Sequence, residues 1–305
     1  MTVKNVIIEG YSLPVSNLEK ILWPQDGYTK GELIYYYMEV APYILKHLKN
    51  RPLVFTRYPD GITGKAFYQK NAPLHLPDWI NTYSSYSSKF KRTINFILVD
   101  NAAALAWLAN QACIEIHPWL SRQPSIDTPD YVVFDLDPSP ENDFDQVIQV
   151  AQFLKELFNQ IQLRTYLKTS GADGLHIYLP VKNDYSYKQI RKFAQHIAAI
   201  TVQALPLIST IERSIAKRGP KIYIDYLQNV KGKTLCSPYC IRPRAGAPIS
   251  CPISWDELLF INPREFNISS ILKRLNYTGD LFAQVLTDQQ SLEPAARQLG
   301  LNISK

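Results

Sequence analysis

The chain has 305 residues, of which 46% are hydrophobic and 20% charged, and a formal net charge of +6. That apolar content supports a packed core and excludes a wholly disordered chain. Twelve glycines without a repeating pattern exclude collagen-like and glycine-rich low-complexity folds. Charge is unevenly spread: 14 of the 33 basic residues but only 4 of the 27 acidic ones fall between Arg164 and Gly246. Such a stretch suits either a polyanionic partner, such as nucleic acid or nucleotide, or a solvated lysine-rich surface.

In chain order, residues 3–9 read as a strand and 30–49 as a helix broken or kinked near Pro42. Residues 53–59 form a short strand before the Asp60-Gly61 turn, and 80–94 read as an exposed, mobile loop. Residues 101–113 have helical spacing. From 131 onward the order is strand 131–137, amphipathic helix 143–160, strand LRTYLKTS, strand GLHIYLPV, helix 186–204 and strand 221–227. Strand–helix–strand–strand–helix–strand is the split βαβ, ferredoxin-like pattern. Beyond Pro248 come short helices and loops, with LEPAARQLGL reading as a C-terminal helix.

The four cysteines include a C-x3-C-x10-C run at Cys236, Cys240 and Cys251, with no histidine at zinc-finger spacing. The N-terminus lacks the apolar stretch and cleavage site of a signal peptide. No run reaches the roughly 18 apolar residues of a membrane helix. The expectation is a cytoplasmic protein with reduced thiols and no membrane partner.

Four constellations carry chemistry. In YVVFDLDP, Asp135 and Asp137 share one strand face about 7 Å apart by rise. Their repulsion suits a divalent cation, and equally two carboxylates capping the following helix. In LKTSGADGLHIYLP, Lys168, Ser170 and His176 surround a small-residue turn that suits phosphate; an ordinary hairpin with a core histidine explains it as well. Asp225 sits in an otherwise apolar strand and needs a partner, either a shared metal or a neighbouring cation. Arg242 and Arg244 alternate around Pro243, so both could face one side of an extended segment and bind phosphate, or form a surface pair.

HPW at 117–119, FDLDP, KTSG-x2-GLH, IDYLQN and R-x-R-x-GAP occur in this order. With SNLEKILWPQDGYTKGELIYYY, RPLVFTRYPDGITGKAFYQKNAP and IEIHPW, they make the chain, from about residue 6 to about 278, similar to a known family. It resembles the polymerase domain of bacterial LigD-type non-homologous end-joining enzymes, in the archaeo-eukaryotic primase superfamily.

The resemblance implies an α/β (α+β) primase-polymerase fold, with an N-terminal α/β module packed on a ferredoxin/RRM-like catalytic core. Residues 1–130 are the expected DNA-contacting lobe, 131–278 the catalytic core and 279–305 a tail helix. Asp135, Asp137 and Asp225 match the metal-binding catalytic triad, holding two divalent cations, Mn²⁺ or Mg²⁺. Ser170, His176, Arg242 and Arg244 match triphosphate-holding positions; His117 matches a histidine beside the active site, and Lys168 adjoins them. Asn17, Lys20 and Lys30 match residues that grip a 5′-phosphate downstream of a gap or break, and Phe67 and Tyr68 an aromatic pair that stacks on the template base. The implied function is nucleotide addition to a primer 3′-hydroxyl at gaps, overhangs or breaks, with NTPs preferred over dNTPs.

Departures from the family are informative. Gln228 replaces a basic residue, with Lys231 and Lys233 nearby as substitutes, and the 80–94 segment is shorter than an end-bridging loop. No ligase or nuclease segment follows within these residues. The chain is expected to be either a stand-alone polymerase or an excised domain, and a stand-alone protein would need a separate ATP-dependent ligase and a Ku-like partner. Two rivals stand beside this reading: VVFDLD resembles the strand end of haloacid-dehalogenase-like phosphatases, though Pro138-Ser139 follows where Gly-Thr is usual, and a non-catalytic nucleic-acid clamp would share the basic stretch.

Overall fold

The computed structural model describes residues 3–88 and 90–303; Met1, Thr2, Lys89, Ser304 and Lys305 lie outside the described residues, and with them both chain ends and one lysine of the 80–94 segment. Two compact units emerge. The first contains residues 1–119, 234–250 and 264–279, and the second residues 120–233, 251–263 and 280–305. These boundaries interleave, where the sequence suggests cuts at 130 and 278. Among the described residues no helix is long and apolar enough to cross a membrane.

In the first unit, β1 (Val3–Ile8) and β2 (Tyr11–Ser16) form a hairpin, and β3 (Ile21–Trp23) pairs with β4 (Tyr28–Thr29). Helix α1 (Lys30–Leu48) begins at a capping box in which Thr29 and Glu32 satisfy each other's backbone N–H groups. Leu33, Tyr36, Tyr37, Val40, Ile44 and Leu48 recur at helical spacing and are buried. The helix runs unbroken through Pro42: that residue is exposed, so the carbonyl it leaves unbonded can be solvated. Strand β5 (Leu53–Arg57) lies between β6 (Phe67–Gln69) and β9 (Cys113–Pro118). The buried Tyr37 hydroxyl donates to Ile114 O at 2.6 Å, tying α1 to β9.

The segment expected as a mobile loop is a hairpin, β7 (Thr82–Ser87) with β8 (Arg92–Ile97). Tyr83 and Phe96 face each other across it, and both rings pack on Trp119. Alternating polar and aromatic residues, not disorder, explain its composition. Helix α2 (Ala102–Asn110) is capped by Asn101.

The second unit is built on a six-stranded sheet. Its elements are β10 (Tyr131–Asp137), α3 (Phe144–Gln160), β11 (Tyr166–Thr169), β12 (Leu175–Pro180), α4 (Tyr187–Ala204), β13 (Ser209–Thr210), α5 (Ile215–Arg218), β14 (Ile222–Asp225) and β15 (Pro252–Ile253). The strand order is β13-β14-β10-β12-β11-β15, with only β13–β14 parallel. The four inner strands, numbered by sequence, lie in the order 4-1-3-2, the arrangement that a split βαβ pattern gives. Helices α3 and α4 pack on the sheet and on each other. Phe134 meets Phe158 of α3, so even-numbered β10 residues face the helices and odd-numbered ones face away.

Among its described residues the tail holds a 3-10 turn, Ala283–Leu286, and a short α-helix, Glu293–Gln298, in place of the longer helix expected. It is fastened to this unit through Arg164 with Asp288 and Gln189 with Ile303 O.

The turn between β11 and β12 leaves no room for a side chain at Gly174. A Cβ there would lie 2.2 Å from the carbonyl oxygen of Leu136. Gly174→Ala must displace β10 between its two aspartates, and its thermal unfolding midpoint is expected to fall. An unchanged midpoint would show that the turn gives way freely.

Candidate active site

Register places the acidic residues. Asp135 of β10 lies directly opposite Asp225 of β14, and Asp137 opposite Tyr223. Asp135 also lies opposite His176 of β12, which lies opposite Lys168 of β11. Lys168, His176, Asp135 and Asp225 therefore form one row across four strands, on the face away from α3. Asp137 extends that face by one strand repeat.

Each carboxylate turns to protein groups. Asp135 Oδ1 is 3.3 Å from His176 Nε2. Asp137 Oδ2 is 3.3 Å from Arg218, whose guanidinium lies 4.1 Å from the Tyr223 ring centre. Asp225 accepts from the Tyr223 hydroxyl at 3.1 Å, Leu227 N at 2.9 Å and Gln228 Nε2 at 2.9 Å. Gln228 thus bonds the third aspartate directly. Lys231 pairs with Asp127, while Lys233 lies close enough to favour the ionised form of Asp225. Among the described residues, no three His, Cys, Asp or Glu side chains stand in a ready-made ion-holding cluster.

The electrostatics show strain all the same. Burial, followed by the charge of Asp135, raises the affinity of both Asp137 and Asp225 for a proton. Hard oxygen donors crowded enough to resist ionisation are a donor set that fits a divalent cation.

The adjoining turn is held by Ser170, whose Oγ accepts from Ala172 N and Gly174 N at 3.0 and 3.1 Å. Gly171 takes a positive φ of 74°, open to glycine at no steric cost.

The first unit carries a second polar centre. Glu115, buried on β9, lies 3.1 Å from Arg242 Nε, 3.1 Å from the Tyr58 hydroxyl and 3.8 Å from His117 Nε2. The Arg242–Arg244 segment is turned, not extended: Arg244 N donates to Arg242 O at 2.8 Å. Arg242 is drawn to Glu115 while Arg244 is exposed, so the expected shared face is not formed.

In the same unit, Asn17 and Lys20 line a cleft of about 680 Å³ with Lys4. Lys20 pairs with Asp60 at 3.0 Å. Lys30 is buried instead, with Nζ 3.0 Å from Asn110 Oδ1; burial and then Lys20 push its pKa down. Phe67 and Tyr68 are 40% and 61% exposed, beside Lys65 and Lys70, so neither is a core residue. As neighbours on β6 they project to opposite sides of the strand.

Sequence reasoning missed Glu115, Tyr58 and Arg218. Glu115 had a signal, a lone acid between Ile114 and Ile116, two positions before His117. Tyr58 and Arg218 reach their partners only through tertiary structure.

The raised proton affinity of Asp225 has a calculable sign. Its folded-state pKa lies above the ordinary 3.8, so the folded chain binds more protons in that window. Stability then falls as pH rises through the folded value. Asp225→Asn lacks this loss, and its stability relative to the parent should improve as pH rises above 3.8 in denaturant unfolding. A difference independent of pH would contradict the assignment.

The chain is similar to known proteins along most of its length. Residues 29–282 match the family described as LigD, primase-polymerase domain. The bifunctional non-homologous end joining protein LigD of Bacillus subtilis is 34% identical over 273 residues, covering 88% of this chain and 43% of that protein. The multifunctional non-homologous end joining protein LigD of Mycolicibacterium smegmatis is 31% identical over 276 residues, covering 90% of this chain and 36% of that protein. The chain thus spans less than half the length of these relatives. The solved polymerase domain from Mycobacterium tuberculosis Ligase D in complex with DNA superposes with a TM-score of 0.84 at 30% identity, covering 91% of this chain and 99% of that one. With the 4-1-3-2 sheet and its facing aspartates already in place, these matches establish that the chain belongs to the LigD primase-polymerase domain family.

Proposed function

We propose that this chain is a template-directed nucleotidyltransferase that extends a primer 3′-hydroxyl at gaps or breaks in DNA during end joining, with NTPs preferred over dNTPs. The primer oxygen attacks the α-phosphorus of the nucleotide, and the bond to pyrophosphate breaks. The observation that carries this reading is the direct cross-strand pairing of Asp135 with Asp225, with Asp137 two residues on. Like charges opposite each other in a sheet cost stability, and a site for cations gives that cost a use.

Asp135, Asp137 and Asp225 would hold two divalent cations, Mn²⁺ or Mg²⁺, which when bound polarise the attacking oxygen and offset charge on the leaving group. Asp137 and Asp225 would exchange Arg218 and Gln228 for them. Ser170, Arg242 and Arg244 are the proposed triphosphate contacts, with His117 beside them, and His176 enters through its contact with Asp135. Asn17, Lys20 and Lys30 are the proposed 5′-phosphate contacts, and the exposed rings of Phe67 and Tyr68, on the two sides of β6, are the proposed stacking surfaces, one of which would take the template base. A DNA ligase and a Ku-like end-binding protein are the partners that the end-joining reading requires.

A labelled primer–template with Mn²⁺ and nucleotides tests the reading. Extension is expected, with NTPs incorporated ahead of dNTPs in competition; equal incorporation removes the sugar preference. Asp137→Ala should abolish extension and leave DNA affinity unchanged. Phosphate release without extension would indicate a phosphatase instead, and binding without either reaction a clamp.

For the 5′-phosphate contacts, Lys20→Ala and Lys30→Ala are expected to lower the preference for a 5′-phosphorylated gap while sparing simple primer extension. Equal binding of phosphorylated and unphosphorylated gaps by the parent would refute the pocket. Lys30→Ala should also lower the melting temperature, because Asn110 loses a buried partner.

A further inference from the structure

Lys168 is 0% exposed, and its side-chain nitrogen is directed at a neighbour within the sheet. Its Nζ lies 2.8 Å from Nδ1 of His176 and 5.9 Å from the centre of the Tyr178 ring. An ammonium has hydrogens to donate and no lone pair. Nδ1 must therefore accept, and the hydrogen of the neutral imidazole sits on Nε2. Nε2 is the nitrogen that stands 3.3 Å from Oδ1 of Asp135. Donor meets acceptor at both steps, from Lys168 to His176 and from His176 to Asp135. The opposite tautomer would set N–H against ammonium and a lone pair against a carboxylate.

Strand register makes this arrangement part of the fold. Lys168, His176 and Asp135 are directly paired residues of β11, β12 and β10. None of the three can shift along its strand without the whole sheet slipping.

We infer that Lys168 is a positioning residue: acting through His176, it holds the Asp135 carboxylate in the orientation that receives a divalent cation, and it does not itself contact the triphosphate. This rests on the reading of the three aspartates as ion ligands. Groups behind a metal ligand fix its orientation, and their loss costs about ten- to a hundredfold in metal affinity or activity.

The test uses the full chain without DNA or nucleotide. In ¹⁵N-histidine-labelled protein, with the signals assigned against His176→Gln, the His176 ring should carry its hydrogen on Nε2. Manganese titration of Lys168→Met, which keeps the side-chain length and removes the charge, should show about tenfold or greater loss of affinity. Lys168→Met combined with His176→Gln should lose no more than the larger single effect, since the two act in series. An Nδ1–H ring in the parent overturns the inference, even where Lys168→Met fails to fold. So does Lys168→Met with parental manganese affinity and a raised KM for nucleotide alone, the sign of direct phosphate contact. A parent that binds no manganese sinks the ion-ligand reading, and the positioning role with it. A parent that binds manganese with the Nδ1–H ring keeps the ion site and loses only the role of Lys168.

Discussion

Two carboxylates facing each other across adjacent strands set the terms for the second unit. Asp135 and Asp225 occupy paired positions of β10 and β14, and Asp137 stands on the same face. A sheet gains little from such a pair, because like charges directly opposite repel. The structure compensates from both flanks. On one side Lys168 and His176 complete the row; on the other, Tyr223, Gln228 and the Leu227 N–H donate to Asp225. These donors hold the acids in place without removing their preference for protons. On the proposed reading, carboxylates kept short of full neutralisation would accept an external cation more readily than a closed salt bridge would.

The first unit handles a buried carboxylate differently. Around Glu115 gather Arg242, His117 and the Tyr58 hydroxyl. Two groups that the family resemblance assigns to phosphate are thereby anchored by one acid. A guanidinium held from behind keeps its shape toward an anion better than one on a free stem.

Much of this was legible in the chain itself. The strand and helix periods from residue 131 onward gave the core sheet, because both faces of β10 carry unmistakable patterns: Val132, Phe134 and Leu136 toward the helices, Asp135 and Asp137 away. The pairing of Asp225 with Asp135 was readable only through the family motifs, since register between strands almost ninety residues apart leaves no local trace. The hairpin at 82–97 read as a loop because its alternate positions are polar and exposed, while the packing of Tyr83 and Phe96 depends on Trp119, distant in sequence. Pro42 does not break α1, because an exposed proline leaves its unbonded carbonyl to solvent. The interleaving of residues 234–250 and 264–279 with the first unit follows from tertiary packing alone.

The short turn at residues 170–174 has an effect beyond its size. It separates Thr169 from Leu175, which are themselves paired, and so counts out how far His176 and Lys168 stand from the bend. Lengthening it by a single amino acid would carry an apolar neighbour into the place of the imidazole and turn the ring toward the helices. The loop therefore acts as a ruler, with its residue count set by the sheet and its composition limited at Gly174, where β10 leaves no space for a side chain.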